Sequence, residues 1–444
     1  MKPTQPELQE YAKRRARLMK AMGPRDVAII PSATEVIRNS DVHYPFRQNS
    51  DFMYLTGFDE PDAIAVIAPR LKGADPKTPQ FVLFVRPRNK EREIWDGRRA
   101  GPEGAKRDYA ADQAHVIDHF DEYLPRFLEG RERVHYTLGD NPLLDETIAG
   151  AVKNIREVSR RGPAAPHSFV ALDTTLHELR LRKTPAELAT ISRACRVSAR
   201  AHVQAMKATQ AGKWEWQIAA EIHKIFEDED MEPGYGSIVG GGDNACILHY
   251  KENSAKLRDG DLLLIDAGGE FRGYTADITR TFPVNGKFSA PQQAVYEVVL
   301  EAQKAATKDL RVGVSVGKPH ETATRVLTEG MVELGLLKGK PKDLIAQGKQ
   351  RQFFMHGTGH WLGMDVHDVG RYKIEGDYRE FEPGMVMTVE PGLYIAPGTK
   401  GVDRKYWGIG VRIEDDVLVT ERGPRVLTGD VPKDVREIER LMAA

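Results

Sequence analysis

Leu263-Leu264-Ile265-Asp266-Ala267-Gly268-Gly269 leads through Glu270-Phe271-Arg272-Gly273 into Tyr274-Thr275-Ala276-Asp277-Ile278-Thr279-Arg280-Thr281. An apolar run ending on an aspartate, a glycine-bearing turn and a second β-rich run predict an antiparallel hairpin, with strands over residues 261–267 and 274–282. With residues 270–273 as the turn, Asp266 and Asp277 stand equidistant from its middle and face one another. Like charges directly opposite on a sheet repel. Such a pair asks for a cation.

Two further acidic strand ends follow, Thr388-Val389-Glu390-Pro391-Gly392 and Val411-Arg412-Ile413-Glu414-Asp415, and His356-Gly357-Thr358-Gly359-His360 adds an imidazole. By the two-residue period of a strand, Val386, Thr388 and Glu390 share one face, as do Arg412 and Glu414. Taken singly, each residue has an ordinary reading, as a turn residue, a solvated strand end or a loop hydrogen bond. Gathered in one site, the four carboxylates would cost roughly several kcal/mol per close pair unless cations balanced them. Two divalent ions match their charge, with Asp266, Asp277, His360, Glu390 and Glu414 as ligands. Oxygen donors with a single imidazole suit a hard ion such as manganese, though zinc and cobalt can occupy the same donors in vitro.

A chain of 444 residues fits two domains. Hydrophobic residues at 41% and charged residues at 29% describe an ordinary globular protein, and a net charge of -1 gives no case for nucleic acid or an acidic membrane. Two cysteines, Cys195 and Cys246, exclude a disulfide framework or a cysteine zinc site and favour the cytoplasm. The first 22 residues are charged throughout, unlike a signal peptide, and no apolar run approaches the roughly 20 residues that span a bilayer.

Helical spacing over residues 6–22 precedes short buried strands at 27–31, 63–68 and 81–85, which together predict a mixed α/β domain over residues 1–170. A Gly/Pro-rich linker at 161–166 sets the boundary near 161–175. Residues 171–444 predict an α+β domain. Its helices fall at 185–206, with Thr184 as N-cap and Pro185 at the first position, and at 214–226, 291–309 and 320–336. No short-period repeat is visible.

The five donor strings resemble those of the pita-bread metallopeptidases, and within them the Xaa-Pro aminopeptidases (aminopeptidase P). The stretches Arg38-Asn39-Ser40-Asp41, Tyr44-Pro45-Phe46-Arg47, Tyr54-Leu55-Thr56-Gly57-Phe58 and Glu93-Ile94-Trp95-Asp96-Gly97 are similar to the bacterial form of that family. The resemblance spans nearly the whole chain and is densest from His249 to Glu414. It implies a pita-bread fold for the C-terminal domain and two metal ions, most simply Mn(2+). The activity it implies is removal of the N-terminal residue from peptides with proline second. By the same resemblance Glu390 is also the proton acceptor, His249 and His367 act on the reacting carbonyl, and His356 and Tyr394 shape the proline pocket. Arg412, two residues from Glu414 on one strand face, can orient a carboxylate ligand by hydrogen bonds and is counted with the substrate residues; by the resemblance Asp41 and Trp95 meet the substrate, the tryptophan from a neighbouring subunit of a tetramer or dimer. An arginine at 160–161 aligns ambiguously and is left unassigned.

Three rival readings stand beside this one. A prolidase carries the same ligands but cleaves only Xaa-Pro dipeptides. A methionine aminopeptidase lacks so large an N-terminal domain. A non-catalytic peptide-binding module on the same fold would lose ligands, and all five are present.

Overall fold

The computed structural model describes residues 2–159 and 162–443, and the chain divides into two compact units, Met1–Leu179 and Arg180–Ala444. Arg160 and Arg161, where the expected linker opens, lie outside the described residues. The division falls beyond the expected 170/171 boundary because the helix Asp173–Leu181 is tied back to the first unit: His177 Nε2 lies 3.1 Å from Asp51 Oδ2, and the Tyr54 hydroxyl donates to the Leu179 carbonyl at 3.3 Å.

In the first unit a six-stranded mixed sheet runs in the order Gln113–Val116, Phe81–Val85, Ile64–Ile67, Asp26–Pro31, Arg133–His135, Ser168–Val170. Its middle pairs are antiparallel and its outer pairs parallel, which makes this the expected α/β domain. Val27, Ile29, Val66, Val82 and Phe84 alternate onto a core shared with Phe120, Leu124 and Ile148 from two helices. That burial of apolar side chains is the main source of the unit's stability.

The second unit repeats one plan twice. The helices Pro185–Ala208 and Glu215–Asp228 precede an antiparallel sheet of Ile238–Gly241, Leu262–Asp266 and Thr279–Pro283. The helices Ala290–Thr307 and Lys318–Glu333 precede a second antiparallel sheet, of Val386–Val389, Asp415–Thr420 and Gly423–Val426. Thr184 caps the first helix as expected, accepting from the Glu187 N–H at 3.3 Å while Glu187 reaches back to the Thr184 N–H at 2.9 Å. The repeat is not visible in the sequence because it is one of element order and not of residues.

The hairpin register differs from the one expected. Leu262–Asp266 pairs with Thr279–Pro283 so that Asp266 faces Thr279, not Asp277. The reason is the turn: Glu270 pairs with Thr275, leaving only Arg272 and Gly273 at the tip, with φ of 51° and 77°. Two consecutive left-handed residues make a type I′ connection, whose twist matches paired strands. Moving the centre of the turn by one residue shifts the pairing by two, so the face is kept and the two aspartates sit diagonally. Gly268 keeps the strands that close, since a Cβ there would fall on the Ala276 carbonyl. Gly268→Ala is therefore expected to destabilise the protein by about 2–3 kcal/mol, measured as a lowered urea midpoint at unchanged slope.

Candidate active site

Nine of the residues singled out in the sequence line one cavity of about 320 Å³: Asp266, Asp277, His360, Glu390, Glu414, Arg412, His249, His356 and His367. Each arrives at the end of an element or in a loop beside one. Asp266 closes its strand, Glu390 follows Val386–Val389, and Glu414 lies between Ile409–Arg412 and Asp415–Thr420. His360 is stitched to the neighbouring strand by its N–H to Thr388 Oγ1 (3.0 Å) and its carbonyl to the Thr388 N–H (2.9 Å).

Donor atoms of Asp277, His360 and Glu414 lie within 4.8 Å of one another. His360 Nδ1 sits 3.0 Å from the Trp361 carbonyl, which fixes the proton on that nitrogen and turns Nε2 toward Asp277 Oδ2 at 3.3 Å. Arg412 is buried and forks three ways: Nη2 to Asp266 Oδ2 at 2.6 Å, Nη1 to the Tyr394 hydroxyl at 3.1 Å, and Nε to Thr279 Oγ1 at 3.1 Å. The Thr279 hydroxyl donates onward to Glu414 Oε2 at 2.6 Å. Tyr235 places a single phenol hydrogen between Asp266 Oδ1 and Asp277 Oδ1. Asp266 and Asp277 thus share one donor hydrogen between them.

Electrostatics agree. Burial lifts Glu390 to about 7 against the pull of His360 and Arg412. Burial, with Asp277 and Glu390 alongside, lifts Glu414 well above the carboxylate range, and Asp266 is raised by burial despite Arg412. Burial opposes charge on His360, but Asp277 and Glu390 override it and carry that imidazole to about 9. The site holds more negative charge than its own cations offset, and its oxygen-rich donors with the Nε2 of one imidazole fit divalent metal ions.

His356 is different: burial first, then Arg412, depresses it to about 4, so it is a neutral ring. Its Nδ1 lies 2.7 Å from the Gly357 carbonyl, leaving Nε2 to accept from the Tyr394 hydroxyl at 2.9 Å. Tyr394 is 3% exposed and bonds to His356 and Arg412, which line the cavity in front of it. His367 stacks edge-on with His360, ring centroids 4.2 Å apart. Asp41 and Trp95 belong to the first unit, where Asp41 occupies the turn between two short exposed strands and Trp95 is 84% exposed on the helix Lys90–Asp96.

Several residues that the sequence did not single out support the ligands. Tyr235 and Thr279 touch them directly. Asp416 Oδ2 accepts the Asp277 N–H at 3.0 Å, and Arg280, fully buried, holds Asp415 at 2.7 Å. Thr279 could have been found by its spacing, two residues from Asp277; Tyr235 carries no local signal.

The family model for metallopeptidase family M24 matches residues 189–421, and that for the aminopeptidase P N-terminal domain matches residues 11–136. The chain is 45% identical to an Xaa-Pro aminopeptidase of Escherichia coli (strain K12), over 98% of each sequence. The solved structure of Pseudomonas aeruginosa aminopeptidase PepP matches at a TM-score of 0.95 and 51% identity, covering 98% of each chain. A glutamate-to-alanine variant of Escherichia coli aminopeptidase P in complex with substrate matches at 0.93 and 44%, again over 98% of each. This chain belongs to metallopeptidase family M24, an aminopeptidase P N-terminal domain followed by a pita-bread catalytic domain.

Proposed function

We infer that the chain hydrolyses the bond between an N-terminal residue and a following proline, using two divalent cations held by Asp266, Asp277, His360, Glu390 and Glu414. Manganese is the cation that the oxygen-rich donor set favours. The observation that carries this reading is the convergence on a single cavity of four carboxylates and one imidazole whose Nε2 is turned toward them. When bound, such cations polarise a carbonyl and acidify water.

The chain's own groups supply the rest. Glu390 lines the cavity beside His360 and Arg412, where its carboxylate can take a proton from water and return it to the departing proline nitrogen. His249 and His367 face the cavity from two loops and can donate to the oxygen that gains charge as the carbonyl is attacked. Neutral His356, braced by Tyr394, forms with Arg412 the wall against which the proline ring packs. Proline has no amide hydrogen and a fixed φ, so shape does the selecting.

Asp41 and Trp95 are assigned to a downstream part of the peptide, with Trp95 reaching a neighbouring copy in a tetramer or dimer. The joint exposure of Ile94 and Trp95, 80% and 84%, supports that. The cytoplasm is the proposed compartment, supported by two free cysteines. No described helix is long and apolar enough to cross a membrane.

The test is a paired assay on metal-stripped protein reloaded with manganese. Release of the first residue from an Xaa-Pro-Xaa tripeptide in preference to an Xaa-Pro dipeptide is expected; cleavage confined to the dipeptide would reassign the chain as a prolidase. Inactivity on both with two metals bound would leave a peptide-binding module. A second expected outcome concerns Arg412, whose guanidinium orients Asp266 and, through Thr279, Glu414. Arg412→Met should weaken metal binding about 10- to 100-fold in competition with a chelator. At saturating metal it should leave a smaller defect.

A further inference from the structure

We propose that Glu215 is a positioning residue for substrate, acting through the segment that presents Leu248 and His249 to the cavity. Glu215 is fully buried at the start of the helix Glu215–Asp228 and does not line the cavity. Both its oxygens are saturated from that one segment. Oε1 accepts from the Gly241 N–H at 2.7 Å and the Asn244 side-chain amide at 2.9 Å. Oε2 accepts from the Tyr250 hydroxyl and the Ala255 N–H, both at 2.8 Å. The backbone closes the ring, since the Glu215 N–H donates to the Ala255 carbonyl at 3.0 Å.

All four donors are neutral groups. A buried anion held only by neutral donors is costly to keep unless its hydrogen bonds are complete, and here they are. Its seat at a helix N-terminus adds a favourable field. What it holds is a stretch from 241 to 255 with little regular structure of its own beyond one short 3₁₀ turn, Gly242–Cys246. Within that stretch His249 is exposed, and the next residue, Tyr250, is buried against Glu215. The clamp thus grips one residue away from the imidazole that faces substrate, and fixes the loop from both ends and the middle. None of its four bonds touches a metal ligand, so its failure should move His249 and leave the metal donors in place.

This inference rests on the reading of His249 as a substrate-contacting residue, and the test separates the two. Glu215→Gln keeps the volume. The Tyr250 hydroxyl can turn to accept from the new amide, but a backbone N–H of Gly241 or Ala255 cannot, so at least one bond is lost. Four proteins are compared on an Xaa-Pro-Xaa tripeptide at saturating manganese, with bound metal measured in each: unaltered, Glu215→Gln, His249→Ala and the double variant. The expected result is a fall in kcat/KM of about 10- to 100-fold for Glu215→Gln at full metal content, as displacement of a positioned group by about 1 Å produces. The double variant should be no worse than His249→Ala alone, because residues acting as a unit are not additive. Losses that multiply in the double variant, or a Glu215→Gln loss that follows lost metal, would overturn the proposal. Unaltered activity in His249→Ala would instead strike down the role of His249. Tyr250→Phe removes one of the four donors to Glu215, together with the acceptor of the Ser254 N–H (3.2 Å) in the same loop, and is expected to show a smaller loss of the same kind even if Glu215→Gln folds poorly; full activity in Tyr250→Phe would also count against the clamp.

Discussion

Glu390→Gln is expected to lower kcat for an Xaa-Pro-Xaa tripeptide by about three orders of magnitude, within the range a lost general base produces. The substitution is nearly isosteric. Glu390 follows the strand Val386–Val389, its N–H is held by the Thr358 carbonyl at 2.8 Å, and its side chain is 19% exposed, so the backbone has no reason to move. What changes is charge and basicity. Burial lifts the carboxyl to about 7, with His360 and Arg412 resisting further ascent. Bound cations pull it lower, so the acid limb of kcat against pH in the unaltered enzyme should fall below pH 7. The variant should lose that limb together with its rate. Metal content must be measured beside kcat, because the same carboxylate is a ligand: a variant with full metal and more than a tenth of the original kcat would remove Glu390 from proton transfer.

How far the sequence foretells this site depends on how local each signal is. Asp266, Glu390 and Glu414 announce themselves by ending apolar strands, and His360 by a loop in which glycine permits close approach, so the residues alone place all four on their elements. The diagonal pairing of Asp266 and Asp277 is not legible in that way, because Arg272 in the left-handed region is an unusual tenant of a hairpin tip and the four residues from Glu270 read equally well as a longer turn. Tyr394 is legible as a neighbour of the site but not in its position, since a tyrosine that follows Pro-Gly-Leu gives no sign of whether it faces a cavity or backs an imidazole. Tyr235, Asp416 and Glu215 are invisible for a different reason. Each reaches across tens of residues or more to its partner, and a hydrogen bond between distant segments leaves no periodicity. The two similar halves of the second unit are hidden likewise, being alike in the order of helices and strands only.

Removal of the divalent cations is expected to abolish activity and to destabilise the protein more at high pH than at low. In the metal-free fold the carboxyl of Glu390 titrates at about 7 instead of 4.5, and Asp266 and Glu414 are raised in the same direction. Between those values the folded chain binds more protons than the unfolded one, so stability falls as pH rises through that window. His360, raised by its acidic neighbours from 6.5 to about 9, contributes stability that is fully present below 6.5 and is lost by about pH 9. Both effects have one sign. With cations bound, the carboxylates stay ionised and His360 serves as a neutral donor, so this pH dependence is absent and proton competition weakens binding only at the acid end. The gap in melting temperature between loaded and stripped protein should therefore widen from pH 5 to pH 8.5. Displacements of this size in buried groups correspond to a few kcal/mol in all, or about 10 °C for a domain of this length. Calorimetry of chelated and manganese-loaded protein at the two pH values measures it directly. A gap that stays constant, or narrows toward high pH, would mean that the carboxylate cluster is balanced by the chain's own cations and does not depend on metal.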